Sequence, residues 1–397
     1  MSVSIPHIEP LSHILPDDPL LMMGAGPVPL PPQVSFANSL IINHLGDTMA
    51  RVLNQVKEMG RYVFQTQSRY VLGVAGPGSA AMEMAICNLI EPKMPVLSIC
   101  NGYFSKRMAE MARRAGGEVR ELNCDNSSAA SVEEVEAALK AAPYKVITLV
   151  QGETSNTVWN KDLQALAKLA KKYACLVIVD AVCTLSTMPL EMDEWGIDAV
   201  ITGGQKGLSS IPGVSLMAFS ETAWECIKQR QSPIPQWCFD ARLATKFWHE
   251  NDYHYTAPVS GILALHEALR LVCEETLVKR FQRHLLCSTA LQAALEGLGL
   301  KLFVDQSCRL NSVIGICLPE GIDSRELRKD MSDRHGVEIS GSFGHPILRI
   351  GQMGEQCRSH HLFRTLHALG RSLTKLKFTV DLPTGMATLE RHLSQNA

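Results

Sequence analysis

This sequence has no excess of either charge: 38 Lys and Arg stand against 40 Asp and Glu, a formal net charge of -2. That balance supplies no field to gather nucleic acid or an anionic membrane surface. No apolar run approaches the roughly 20 residues that span a bilayer as a helix. The opening MSVSIPHIEPLSHILPDDP lacks the basic start and apolar centre of a secretory leader, and the closing SQNA is not a peroxisomal address. The expected location is therefore cytoplasmic. Twelve cysteines are scattered without a CxxC pair or Cys/His metal spacing, so reduced thiols and no metal site are expected. Internal repeats and low-complexity tracts are absent as well.

What is present is 46% hydrophobic and 20% charged, ordinary for a chain with an ample core, and 397 residues allow two or three domains. Residues 1–20 are punctuated by proline and read as an extended arm. The loop MMGAGPVPLPP (22–32) is too rigid for helix and serves either as a connector or as a wall beside a ligand. Residues 49–64 carry apolar side chains at helical spacing. From about 70 to 202 strand-like runs alternate with helical ones at 106–115, 132–141 and 163–173. That alternation predicts a mostly parallel sheet covered on both faces, with 212–219 an antiparallel addition. A long helical region is expected over 259–297. KLFVD, SVIGICL, SRELRKDMSDRHG and ILRIG then read as strand, strand, helix and strand. The fold class is α/β, with a large domain over 21–272 and a smaller α+β domain over 273–397.

Residues 176–207, LVIVDAVCTLSTMPLEMDEWGIDAVITGGQKG, hold two apolar runs of buried-strand length. Asp180 closes the first run and Lys206 follows the second, each costly to bury without a purpose. The C-terminal ends of parallel strands are where open α/β sheets hold ligands. A desolvated Lys among small residues has a depressed pKa and becomes a nucleophile or base. The bland alternatives are a surface lysine and a helix-capping carboxylate. Gly76-Pro77-Gly78-Ser79, before an Ala/Met-rich helix, makes an anion site of free backbone N–H groups, with capping by Ser79 as its plain alternative. Walker A fails for want of GK[ST]. The dinucleotide fingerprint lacks its third Gly and its acid, since the next strand ends at Asn101. Together these residues supply a Schiff-base lysine, a partner for a pyridinium nitrogen and a phosphate anchor, as pyridoxal phosphate requires. Tyr103 or Phe104 could stack on a flat ring. The aromatic and His-rich stretch 231–258 reads as an interface, a site or simple loop packing.

Ordered stretches carry a family resemblance: GAGP at Gly24, RYVFQT at Arg61, AMEMAICNLIEP at Ala81, NGYFSKRMAEMARRAGGEV at Asn101 and GETS at Gly152. VDAV at Val179, DEWGIDAVITGGQKG at Asp193, YHYTAPV at Tyr253 and LRIGQMG at Leu348 continue it. The chain resembles the class V, fold type I pyridoxal-phosphate aminotransferases, in their alanine–glyoxylate and serine–glyoxylate branch, over nearly all of 20–370. By that resemblance Lys206 forms the internal aldimine and shuttles a proton, and Asp180 keeps the pyridine nitrogen protonated. Phe104 and Val182 flank the ring, and Gly78, Ser79 and Gln205 hold the phosphate. Thr154 lies near the ring oxygen or the substrate, with Gly26 on the substrate side. Tyr253 and Thr256 reach the phosphate of a neighbouring subunit in a homodimer. Arg349 clamps the substrate carboxylate as a bidentate fork.

The resemblance implies ping-pong transamination between a small amino acid, alanine or serine, and a small 2-oxo acid, glyoxylate or pyruvate. Pyridoxamine–pyruvate and ureidoglycine–glyoxylate transamination are the family alternatives. A nucleotide-binding oxidoreductase would rest on the Gly76–Ser79 loop alone. A desulfurase is unsupported, because Cys308 sits in no mobile-loop motif. Departures from the family pattern gather on the substrate side: Asn156-Thr157 where Thr-Gly is usual, Gln151 for a His, Gly207 after the lysine, and Pro77 in the phosphate loop. A shortened SGSFGHP loop should bring His345 close to Arg349.

Overall fold

The computed structural model describes residues 4–125 and 127–394. The first three residues of the expected arm, Asn126 and 395–397 of the closing SQNA lie outside that range. Seven strands form the main sheet: β1 (Val71–Ala75), β2 (Pro95–Cys100), β3 (Glu118–Asn123), β4 (Val146–Val150), β5 (Leu176–Asp180), β6 (Ala199–Ile201) and β7 (Val214–Phe219). Their order is β1-β7-β6-β5-β4-β2-β3. Strands β2 to β6 pair in parallel, and β7 runs antiparallel to β1 and β6. Every residue of β4 and β7 is buried, whereas the edge strand β3 alternates toward solvent. Unbroken apolar runs such as VITLV suit strands covered on both faces.

The amphipathic stretch becomes the helix Asp47–Phe64, which buries Met49, Leu53, Val56, Gly60 and Val63 at helical intervals. Chain direction puts the C-terminal ends of β1, β2, β4 and β5 on one edge. Asp180 lies beside Val150 and Ile201 in register there. Connections from β2 and β4 depart to opposite sides of the sheet, so that edge contains a topological switch point.

A second core gathers around an antiparallel sheet in which Ile347–Gly351 lies between Val313–Cys317 and Ser340–Gly341. KLFVD does not form the expected strand; it makes one isolated bridge, Leu302 to Ile316. The expected long helical region consists of two helices, Val259–Glu275 and Leu277–Gly297, divided at Thr276 with φ +69. The break turns the second helix so that Arg280 and Arg283 grip Glu275 at 2.6 and 2.5 Å. Leu21 and Met23, placed by sequence at the start of the large domain, pack in the second core instead. Leu21–Met22 pairs there in parallel with Val337–Glu338. Residues 4–19 lie exposed around a four-residue helix, Leu11–Ile14. Among the described residues no helix is long and apolar enough to cross a membrane.

Candidate active site

A cavity opens at the strand ends, lined by Gly78, Ser79, Phe104, Thr154, Asp180, Val182, Gln205 and Lys206, with four residues that sequence reasoning left aside. Lys206 arrives on the turn after β6, and its amine donates to the Ala25 carbonyl. Burial lowers the amine's pKa and Arg349 lowers it further, against Cys183 and Asp180. Gly26 explains how the Gly/Pro loop comes so near. It has φ +97, and a Cβ there would lie 2.6 Å from the Lys206 Nζ. Gly26→Ala should displace the amine, lowering kcat/KM at least about tenfold, with less loss of melting temperature than of activity. Activity equal to wild type would show that the amine tolerates the shift.

Asp180 ends β5, and its Oδ1 accepts from the Val182 N–H at 2.8 Å. Burial pushes its carboxyl up to about 7, with the Val182 amide opposing and Glu153 adding to the rise. Across the cavity the helix Gly78–Leu89 begins after Pro77, with no side-chain cap. Ser79 is therefore not the capping residue of the plain alternative: it sits inside the first turn and its hydroxyl accepts from Arg107 at 2.8 Å. Backbone N–H groups of that turn and the helix dipole face the cavity as an anion site.

Phe104 is aimed by Glu153, which is fully buried. Its carboxylate accepts from the N–H groups of Phe104 (3.0 Å) and Ser105 (2.9 Å) and from the Ser155 hydroxyl (2.6 Å). The helix Tyr103–Arg114 is thus capped by a side chain about 50 positions away in sequence. Arg107 lies over the Phe104 ring, 4.8 Å from its centroid.

Arg349 is buried on the central strand of the second sheet. Its Nε donates to the Gly341 carbonyl and its Nη1 to the Thr154 carbonyl, both at 2.7 Å. It therefore stands behind a cavity-lining residue at the seam of the two cores. Burial lowers its pKa to about 10, and Glu153 opposes that shift.

The profile of the family Aminotransferase class-V matches residues 36–360. The chain is 35% identical over 362 residues to alanine–glyoxylate aminotransferase of Oryctolagus cuniculus, covering 89% of this chain and 92% of the relative. The chain belongs to the class V aminotransferases. Ureidoglycine–glyoxylate aminotransferase of Bacillus subtilis is similar in structure, with a TM-score of 0.92 at 31% identity, over 96% of this chain and 99% of that one. Pyridoxamine–pyruvate aminotransferase of Mesorhizobium loti, at 24% identity, shares the fold with a TM-score of 0.91 over 96% of this chain and 100% of that one.

Class V aminotransferases use pyridoxal phosphate, and the cavity of this aminotransferase fits that group. Gln205 lines the cavity, and its buried Oε1 has no hydrogen-bond partner among the described residues; the amide's NH2 group is the part that can donate to an anion. Gly78 lets Val182 approach closely, since a Cβ would meet the Val182 Cγ2 at 2.7 Å. An orphaned polar atom, a helix N-terminus, a desolvated amine and a buried carboxylate around one hollow suit a flat, phosphorylated pyridine.

Other expected residues lie elsewhere. Tyr253 and Thr256 are exposed and outside the cavity, Tyr253 meeting His44 edge-on. The His345 ring packs on Phe303, with centroids 5.6 Å apart, and does not line the cavity. Gln151 donates to the Pro189 carbonyl, and Cys308 is buried with Val158 and Val304. Thr157 adopts φ +65, the left-handed region a glycine enters freely, so the missing Gly leaves local strain beside the site. Of the residues sequence reasoning missed, Glu153 stands inside the quoted GETS motif. Arg107 stands one helical turn past the ring residues, a signal that was legible but unused.

Proposed function

We propose that this class V enzyme moves the amino group of a small amino acid, alanine or serine, to a small 2-oxo acid, glyoxylate or pyruvate, with pyridoxal phosphate held at Lys206. The observation that carries this reading is the convergence of the Lys206 amine and the Asp180 carboxylate on one cavity whose far end is a helix N-terminus. The relatives' substrates support glyoxylate as acceptor. When bound, the cofactor supplies an electron sink for the substrate's Cα carbanion.

This chain's residues do the rest. Lys206, its pKa lowered by burial, holds the reacting end and carries a proton at Nζ. Asp180 keeps a proton and positive charge on the ring nitrogen, for which a buried carboxylate is strongest when its partner is cationic. Phe104 covers one ring face and Val182 the other, excluding water. Gly78, Ser79 and Gln205 anchor the phosphate, and Thr154 stands beside the ring oxygen. Gly26 forms the near wall on the substrate side. Arg349 binds the substrate carboxylate on its Nη edge, because its Nε–H is already committed to Gly341. Tyr253 and Thr256, exposed in one subunit, complete the phosphate site of a second copy, so the working unit is a homodimer in the cytoplasm.

The test is a set of single half-reactions in the visible and near-ultraviolet. Alanine and serine should each convert the enzyme to its amino form, and glyoxylate should restore it. Conversion by pyridoxamine or ureidoglycine alone would replace this substrate assignment. Arg349→Ala should raise the donor KM about 10- to 100-fold, the loss of charged hydrogen bonds worth roughly 1.5–3 kcal/mol. An unchanged KM would mean that the carboxylate clamp lies elsewhere.

A further inference from the structure

Arg349 has a neighbour for which clamp geometry gives no reason. Its guanidinium lies over the Phe343 ring, 5.5 Å from the centroid. That ring stacks on Tyr103 at 4.9 Å and 24°, and Tyr103 meets Phe104 edge-on at 5.5 Å. Phe343 belongs to the short loop between two strands of the second sheet, and Tyr103 opens a helix of the first core. The Ser342 hydroxyl donates to the Ser155 carbonyl and pins the loop across that seam. Phe343 and Tyr103 are 53% and 46% exposed, so neither is needed to fill a core. A row of rings therefore runs from the carboxylate clamp to the residue that covers the cofactor space.

We infer that Phe343, held in place by Tyr103, is a specificity-determining residue of the carboxylate site, favouring substrates with one carboxylate and an uncharged side chain over dicarboxylates. The inference rests on the clamp reading of Arg349. An aromatic face attracts a cation and shields it from water, which strengthens the guanidinium's grip on a carboxylate arriving at its Nη edge. An uncharged ring beside the clamp offers a second carboxylate no cation and no donor, so a dicarboxylate is desolvated there without a partner, a repulsive element of specificity. The remaining cations at the cavity are engaged elsewhere: Lys206 with Ala25, and Arg107 with Ser79 at the anchor end.

The test compares holoenzyme of wild type, Phe343→Ala and Phe343→Trp with alanine and aspartate as donors and glyoxylate as acceptor, at low and high salt. Phe343→Ala should raise the alanine KM roughly five- to tenfold, with most of the effect on KM rather than kcat. Its KM should become more sensitive to salt, because the ion pair is now wetted. The preference in kcat/KM for alanine over aspartate should fall about fivefold or more, and Phe343→Trp should restore both values. Melting temperature and cofactor affinity should match wild type, since Phe343 is half-exposed. An active wild type with Phe343→Ala unchanged in KM, salt response and donor preference overturns the role of Phe343 alone. A Phe343→Ala enzyme that loses cofactor affinity, or is not restored by Trp, overturns it too by making the effect structural. Wild type that takes up no amino group from alanine, serine or aspartate overturns the functional reading instead.

Discussion

Lys206→Ala should lower kcat by at least roughly 10⁴-fold, since it removes the nucleophile and the proton carrier together. Its absorption band in the visible should be lost or shifted. Melting temperature should hold or rise, because a buried amine whose pKa is lowered by desolvation opposes folding. The variant also forfeits the amine's hydrogen bond to the Ala25 carbonyl. Measuring kcat with alanine and glyoxylate, beside the spectrum and a melting curve, checks all three. Retained turnover would move the Schiff-base role to another lysine.

Asp180→Asn should separate activity from stability in the same way. Replacing the carboxylate by a neutral amide leaves the ring nitrogen without its anion, and kcat should fall about 10²- to 10⁴-fold. In the cofactor-free protein the sign reverses. Burial raises the Asp180 carboxyl to about 7 from its ordinary 3.8. Between those values the unfolded chain has released a proton that the folded one retains, so rising pH costs stability, and the loss is complete above about 7. A rise of about 3 units, at 1.36 kcal/mol each, sets that loss at roughly 4 kcal/mol. Asn keeps the acceptor for the Val182 N–H and does not titrate. The cofactor-free variant should therefore gain melting temperature over wild type at pH 8 and gain little at pH 4. Equal differences at the two pH values would show that the carboxylate is not desolvated.

Much of the fold was legible because its signals are local. Runs such as VITLV and LVIVD are apolar throughout because both sheet faces are covered, and amphipathic periodicity marked the helix Asp47–Phe64. The antiparallel β7 was readable too, as the apolar run GVSLMAF following β6. The break at Thr276 was not, because a threonine at φ +69 is a tertiary choice: it lets Arg280 and Arg283 close on Glu275. KLFVD has strand composition but lacks a continuous partner, and pairing rather than propensity makes a strand.

Asp180, Lys206 and the Gly78–Ser79 turn could be picked out because each is an expensive or permissive residue at a strand or helix end, and chain direction sends those ends to one edge. Amino-acid order alone determined the sheet, its ligand-bearing edge and the family. Only tertiary structure decided that Glu153 aims Phe104, that Arg349 stands behind Thr154, that His345 packs on Phe303, and that Phe343 lies against the clamp. Each of those contacts depends on how side chains pack in three dimensions, and the one between Arg349 and Thr154 crosses the seam of the two cores. No local periodicity encodes such meetings; they exist only once burial has packed two cores around one hollow.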